Sequence, residues 1–208
     1  MKVITVTLII LLLITSGCSD NDPNITEPTN DADSSYFPLK FRNKWVYEGY
    51  WFPQVLPTDT LECMSPYNKD GYDVFSFNSN FYSGYDDCIF NLRGNGEGLS
   101  LKGDSLFMFI NKEGSLKKYL LIPPNTYVGR IDTIYLWGYE GMITLKTLAI
   151  DEITEVPAGT FSCLKMVVQW GNNELYTLWF ARGIGIIRVE NNLIYEYDII
   201  ELRSYSFP

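Results

Sequence analysis

Residues 163–170, CLKMVVQW, and 174–181, ELYTLWFA, are separated only by Gly171-Asn172-Asn173. In the first run Leu164, Met166, Val168 and Trp170 recur at every second place, with Cys163 on the other side. A period of two is what a half-buried strand needs. Three turn residues allow an antiparallel return but no parallel crossover, which takes about a dozen or more. The pattern recurs along the chain. Residues 44–52 (KWVYEGYWF) form an early strand, and 73–78 (DVFSFN) set Val74, Ser76 and Asn78 against Phe75 and Phe77. Residues 105–111 and 116–122 flank Lys112-Glu113-Gly114-Ser115, a hairpin loop. Residues 185–190 and 193–202 meet at Asn191-Asn192, which reads as a two-residue type I′ loop. No stretch carries an i, i+3, i+4, i+7 apolar stripe, and no internal repeat is evident. The expected class is all-β, with about ten to twelve strands. They would form a single antiparallel, hairpin-connected curved sheet closing into a barrel or sandwich.

The amino-terminal end has a different logic. Lys2 precedes an apolar run, Val3 to Ile14, of signal-peptide length and too short to span a bilayer. Thr15, Ser16 and Gly17 then lead into Cys18. These residues resemble the lipobox of bacterial lipoproteins, which implies that Cys18 is lipidated and becomes the mature first residue. Thr15 stands where Leu is usual, with Ile14 one place early. From Ser19 to Ser35 the chain holds Asp20, Asp22, Glu27, Asp31 and Asp33, two prolines and no basic residue. Such a composition does not offset its ordering entropy, so a disordered tether is expected, with a mean reach of about 20–25 Å. Its start, Cys-Ser-Asp-Asn-Asp, resembles the export signals of surface-exposed Gram-negative lipoproteins. Ser19 rather than Asp after the cysteine points to the outer membrane under the enterobacterial sorting rule. The chain thus divides into a signal peptide (1–17), a lipidated acidic tether (18–35) and an all-β domain (36–208). The Asn24-Ile25-Thr26 sequon is read as incidental.

About 170 residues suit one domain with a substantial core. The formal charge is −9, and −10 once Lys2 is removed with the signal. A basic footprint is absent, which argues against nucleic acid. It also leaves the lipid, not the acidic protein surface, to hold the membrane.

Four blocks occur in order: YFPLKFRNKWVYEGYW (36–51), EVPAGTFSCLKMVV (155–168), WFARGIGIIRVE (179–190) and IIELRSY (199–205). They resemble a broad set of uncharacterised bacterial lipoproteins with YFPL…NKWVY, VPAGTF and ARGIG-type motifs. Where those chains usually carry Gly before Asn, this one has Arg42-Asn43. The resemblance covers residues 53–140 only loosely. It implies a secreted β-rich lipoprotein of the cell envelope and no particular reaction. Read physically, the blocks are fold. Val156-Pro157-Ala158-Gly159 suits a type I turn with a bulge. Gly183-Ile184-Gly185 is followed by a β-branched strand, not the helix a phosphate loop requires, and reads as a turn or bulge.

The chain has no histidine, which removes Ser-His-Asp and Cys-His chemistry and the commonest zinc ligand. The segment 93–98 (RGNGEG), near Asp86-Asp87, lacks the spacing of a calcium loop and reads as a solvated loop; no metal or cofactor is expected. Acidic residues number 25, too many for the sequence to select a glycosidase pair. Fifteen Tyr and five Trp offer another chemistry, since flat amphipathic rings stack on sugars or apolar ligands, although core and cross-strand packing is the favoured reading for most of them. Trp45 and Trp170, inside alternating runs, read as core. Tyr50, Trp51, Trp137 and Tyr139, beside turn residues, are the ligand-binding candidates. Cys63 and Cys88 are the candidate disulfide in an oxidising compartment, and Cys163 reads as a small buried hydrophobe. The functional expectation is a non-catalytic binding or envelope-interaction module, with a glycan, an apolar ligand or an envelope protein as partner. The rivals are a lipid carrier with a half-open barrel and a carbohydrate-active enzyme.

Overall fold

The computed structural model describes residues 35–51, 54–55, 58–79, 97–112, 114–134, 143–192 and 198–208. Among these residues there are fifteen strands, all paired antiparallel, and no helix. The largest sheet runs β10 (Ile131–Ile134), β11 (Ile143–Val156), β12 (Gly159–Trp170), β13 (Asn173–Ala181), β14 (Gly185–Asn191), β15 (Asp198–Ser206), β1 (Lys44–Trp51), β3 (Asp59–Cys63) and β6 (Phe77–Ser79). The two-residue β2 (Gln54–Val55) adds to β1. A hairpin, β4 (Tyr67–Lys69) and β5 (Tyr72–Val74), and a meander, β7 (Gly98–Lys102), β8 (Ser105–Lys112) and β9 (Ser115–Ile122), complete the fold.

The expected class holds. The strands divide among three sheets instead of one, and among the described residues no ladder closes the largest into a barrel, so the form is sandwich-like. The strand count exceeds the expectation because the segment 54–79 contains several strands of two or three residues.

One core serves the large sheet and the meander. Trp45, Tyr47, Phe161, Phe180, Leu106, Met108, Ile143 and Leu145 are among its fully buried side chains. Each contributes roughly 1.5–3 kcal/mol relative to exposure. Two strongly polar tips in β1 are answered by backbone. Trp45 Nε1 donates to the Ile184 carbonyl at 2.6 Å and Tyr47 Oη to that of Ile186 at 2.9 Å, which ties β1 to the start of β14. Ser35, the last residue of the expected tether, is buried, and its carbonyl accepts from Gly183 N at 2.7 Å. The chain therefore enters the domain at the β13–β14 turn.

Turns follow their residues with one exception. Pro157-Ala158 links β11 to β12, and the Ala158 amide donates to the Leu202 carbonyl at 3.0 Å, so the tip of this long hairpin reaches β15. Gly183 and Gly185 take φ +67° and +111°, and the β14 register skips at the next residues: a turn with a bulge, as expected. The exception is Asn191-Asn192. Asn191 is a strand residue opposite Tyr176, and Glu190 pairs with Ile199, so the strands do not meet in a two-residue loop. Arg42 takes φ +71°. Its amide donates to the Cys63 carbonyl at 2.8 Å, and Asn43 Nδ2 donates to Pro38 O at 2.7 Å, which holds this left-handed residue in place.

Three local expectations are corrected. Trp170 is 41% exposed, not core. It is the last residue of β12, beside the Gly171 turn. Residues 73–78 are not one strand. Phe75 bridges Leu99 of β7, Ser76 breaks the run, and β6 then pairs with β3, so Val74 and Phe77 are both buried despite opposite parity. Glu97 and Gly98 do not belong to a solvated loop: Glu97 is buried and accepts from Asn111 N at 2.8 Å, and Gly98 opens β7.

Candidate functional site

Of the ligand-binding candidates, Tyr50 is fully described. It is half-buried on the outer face of β1, and its hydroxyl donates to Glu48 Oε2 at 3.2 Å. Burial, reinforced by the Glu48 charge, pushes its phenol above the ordinary value. Trp51 has its backbone in β1 opposite Asp198. Trp137 and Tyr139 lie outside the described residues, as do Cys88 and Cys18. The structure places Tyr50 at the edge of a charged ladder.

The ladder follows directly from register. Lys165 of β12 is opposite Trp179 of β13, Trp179 is opposite Arg188 of β14, Arg188 is opposite Glu201 of β15, and Glu201 is opposite Glu48 of β1. Five neighbouring strands thus set one row of side chains on the face away from Leu178, Val189 and Ile200. Trp179 is buried within the row. Lys165 Nζ lies 4.9 Å from its ring centroid and Arg188 Cζ 5.3 Å. Such cation–π contacts contribute about 0.5–2 kcal/mol each. The indole Nε1 donates to Glu152 Oε1 at 2.9 Å, and Lys165 Nζ meets the same oxygen at 3.0 Å. A bulge in β11, where Asp151 takes φ +62°, sets Glu152 opposite Cys163 and within reach of both.

Every carboxylate in the row has a cation. Arg188 pairs with Glu190 and, at 3.0 Å, with Glu201; Arg203 pairs with Glu48 at 3.2 Å. Two glutamates are pulled in opposite directions. Burial raises Glu201, Arg188 opposes it, and the charges of Glu190 and Glu48 reinforce the rise. Burial also raises Glu152, but the hydrogen bonds from Trp179 and Lys165, with the charges of Lys165 and Arg188, outweigh it and hold this carboxyl below its ordinary value. The result is a half-buried surface of fixed, locally neutralised charges around one aromatic ring. It can present donors and acceptors to a polar partner. The described cysteines add no nucleophile, because burial pushes the Cys63 and Cys163 thiols up to about 12. Among the described residues no group of His, Cys, Asp and Glu could hold a metal ion.

Sequence reading missed Glu152, Lys165, Trp179, Arg188 and Glu201. Each sits in an alternating run where a charge at an outward place is ordinary. What makes them a site is cross-strand register, which no single run contains.

No family model and no curated protein matches this chain. Two solved structures are similar. A candidate exported protein with a YmcC-like fold from Bacteroides fragilis is 14% identical, with a TM-score of 0.46 over 84% of this chain and 100% of that one. A candidate lipoprotein from Parabacteroides distasonis is 11% identical, with a TM-score of 0.47 over 83% of this chain and 99% of that one.

Proposed function

We propose that this protein is a non-catalytic binding module, anchored to the bacterial cell envelope by lipid at Cys18, with the ladder from Glu152 to Glu48 as its recognition face. The observation that carries the binding reading is the ladder's charge pairing. A general acid or base must be free to exchange its proton at the reacting atom. Here the opposed Glu201 and Glu48 are each held by an arginine, and Glu152 by Lys165 and Trp179. The packed interior supports the same reading over a lipid carrier. Inward positions are filled by large side chains such as Phe37, Trp45 and Phe77, with ring centroids 4.9–6.3 Å apart. The anchor rests on the sequence around Cys18, and the outer membrane is the proposed location.

The test uses full-length protein expressed in a Gram-negative host and purified in detergent. Mass spectrometry of the N-terminal peptide is expected to find Cys18 lipidated, and Cys18→Ala to leave precursor or soluble protein. An unmodified Cys18 overturns the anchor. Glycan-array and envelope-protein pull-down measurements are expected to lose signal on Trp179→Phe with Arg188→Gln. Turnover of a glycosidase substrate that Glu201→Gln abolishes overturns the binding reading in favour of an enzyme.

A further inference from the structure

The end of the domain where the chain enters carries a surface that the ladder does not use. Gly183 N holds the Ser35 carbonyl, and the next carbonyl, of Ile184, accepts from Trp45 Nε1, so the entry point and the start of β1 share one set of hydrogen bonds. Between them, Lys40 to Asn43 form a β-turn. Asn43 N donates to the Lys40 carbonyl at 3.1 Å, and a positive φ at the third residue, Arg42, is that of a type II turn. Asn43 Nδ2 reaches back to the Pro38 carbonyl, which folds the segment onto itself beside the entry. Lys40, Phe41 and Arg42 are all exposed on this turn, Phe41 by 47%.

Two more exposed apolar side chains border it. The Arg42 amide is bonded to the Cys63 carbonyl, and Met64 follows. Lys44 stands opposite Ser206, and Phe207 follows, its ring centroid 5.7 Å from that of Trp45. The charge on the turn is cationic. Lys44 pairs with Glu62, but no described carboxylate pairs with Lys40 or Arg42. Arg42 Cζ lies instead 5.1 Å from the Phe41 ring centroid. The third place of a type II turn suits Gly or Asn, and arginine there is strained. The fold thus holds a guanidinium at the tip of an aromatic turn against the backbone's own preference.

The path of the chain indicates what this end meets. With lipid on Cys18, as proposed above and as this assignment requires, the bilayer lies seventeen residues before Ser35. Phe41 is six residues after Ser35, within about 20 Å of it along the chain. The tether therefore brings this end of the domain to the lipid. Cations beside aromatic and thioether side chains match a phospholipid surface, with phosphates outside and acyl chains beneath. The formal charge of −9 opposes such contact for the chain as a whole, and the turn presents the opposite sign locally.

We propose that the turn Lys40–Asn43, bordered by Met64 and Phe207, docks on a phospholipid bilayer, with Lys40 and Arg42 on headgroup phosphates and Phe41 at the acyl boundary, and so orients the domain on its membrane. The test uses full-length protein purified in detergent and reconstituted into vesicles of brominated phosphatidylcholine with about 30% phosphatidylglycerol. An indole is added by Phe41→Trp or, as the distal control, by Val55→Trp. Val55 is exposed opposite Tyr50, six residues along β1 from Lys44, about 20 Å away. Bromine quenching beyond that of the unsubstituted protein is expected to be several-fold greater for Phe41→Trp than for Val55→Trp. Lys40→Gln with Arg42→Gln, on the Phe41→Trp background, should remove most of that excess. Lys117→Gln with Lys146→Gln, which removes the same charge elsewhere, should leave it. Arg42→Gly, which suits the turn's backbone, should keep the fold by circular dichroism and still lower the quenching. Mass spectrometry of the same sample reads Cys18 separately. Equal quenching at the two positions in lipidated protein overturns the docking face and leaves the anchor standing. Excess quenching of Phe41→Trp in protein with unmodified Cys18 supports the face and overturns the anchor. Protein that does not float with the vesicles overturns the face whatever the state of Cys18.

Discussion

The outer face of β12 to β1 and the outer face of the meander are built from the same residue types and treat charge in opposite ways. On the large sheet, Lys165, Arg188 and Arg203 each sit on a glutamate, and Trp179 is clamped between two of those cations. On the meander, Lys102 and Lys118 meet aromatic rings, Tyr72 and, for Lys118, Phe107. Register accounts for the difference. Five adjacent strands place five successive residues in one row, where Arg188 stands directly opposite Glu201. On the meander, Lys102 at the end of β7 and Lys118 within β9 converge on Tyr72 of the covering hairpin instead. A paired row holds its donors and acceptors in fixed positions.

The sharpest way to break the comparison is through the core that both faces share. Trp45→Ala should cost about 3–5 kcal/mol and unfold both regions together. It empties a fully buried site and strips the Ile184 carbonyl of its donor. A single cooperative transition at much lower urea, seen identically by tryptophan fluorescence and far-ultraviolet circular dichroism, is the expected record.

Gly98→Ala should separate the regions instead. A Cβ there would overlap the Phe75 carbonyl and stand 3.0 Å from Val74 Cγ1, at the one bridge joining Phe75 to Leu99. Overpacking against backbone costs about 1–3 kcal/mol. Hydrogen exchange should accelerate in residues 98–122 while β12 to β15 keep their protection.

Arg188→Ala tests the ladder in isolation. It leaves Glu190, Glu201 and Glu48 adjacent with only Arg203 to offset them. Removing charged hydrogen-bond partners from this partly buried place should cost about 1–3 kcal/mol.

The smallest expected effect is on pH dependence. Glu201 has a folded value above its unfolded one, near 4.3, so its contribution is fully present below the unfolded value and is lost as pH rises through the folded one. Glu152 is depressed, so its contribution is present above the unfolded value and is lost as pH falls through the folded one. Urea midpoints between about pH 3 and pH 7 should show this. Glu201→Gln should flatten the decline just above the carboxylate range, and Glu152→Gln the decline below it.

How far the chain announced this structure depends on the range over which each cause acts. Period-two alternation in 163–181, the Val156–Gly159 turn and the Gly183–Gly185 bulge are local chemistry: side-chain parity, a fixed proline φ and glycine's freedom to take positive φ. They appear in the structure where the residues place them. So does the burial of Trp45 and Cys163. The hairpin that carries Tyr72 had an equally local signal in Asp70-Gly71. The errors arose where a neighbour decides. Trp170 obeys the alternation but is exposed at the end of β12, and Asn191-Asn192 looks like a turn, but Asn191 is a β14 residue opposite Tyr176. The charged clusters are the extreme case. Lys165, Trp179, Arg188, Glu201 and Glu48, like Tyr72, Lys102 and Lys118, are scattered through the sequence. Alternation by itself determined which side of its strand each residue occupies. Only strand order and register, set by burying one core beneath several sheets at once, decided which of them would touch.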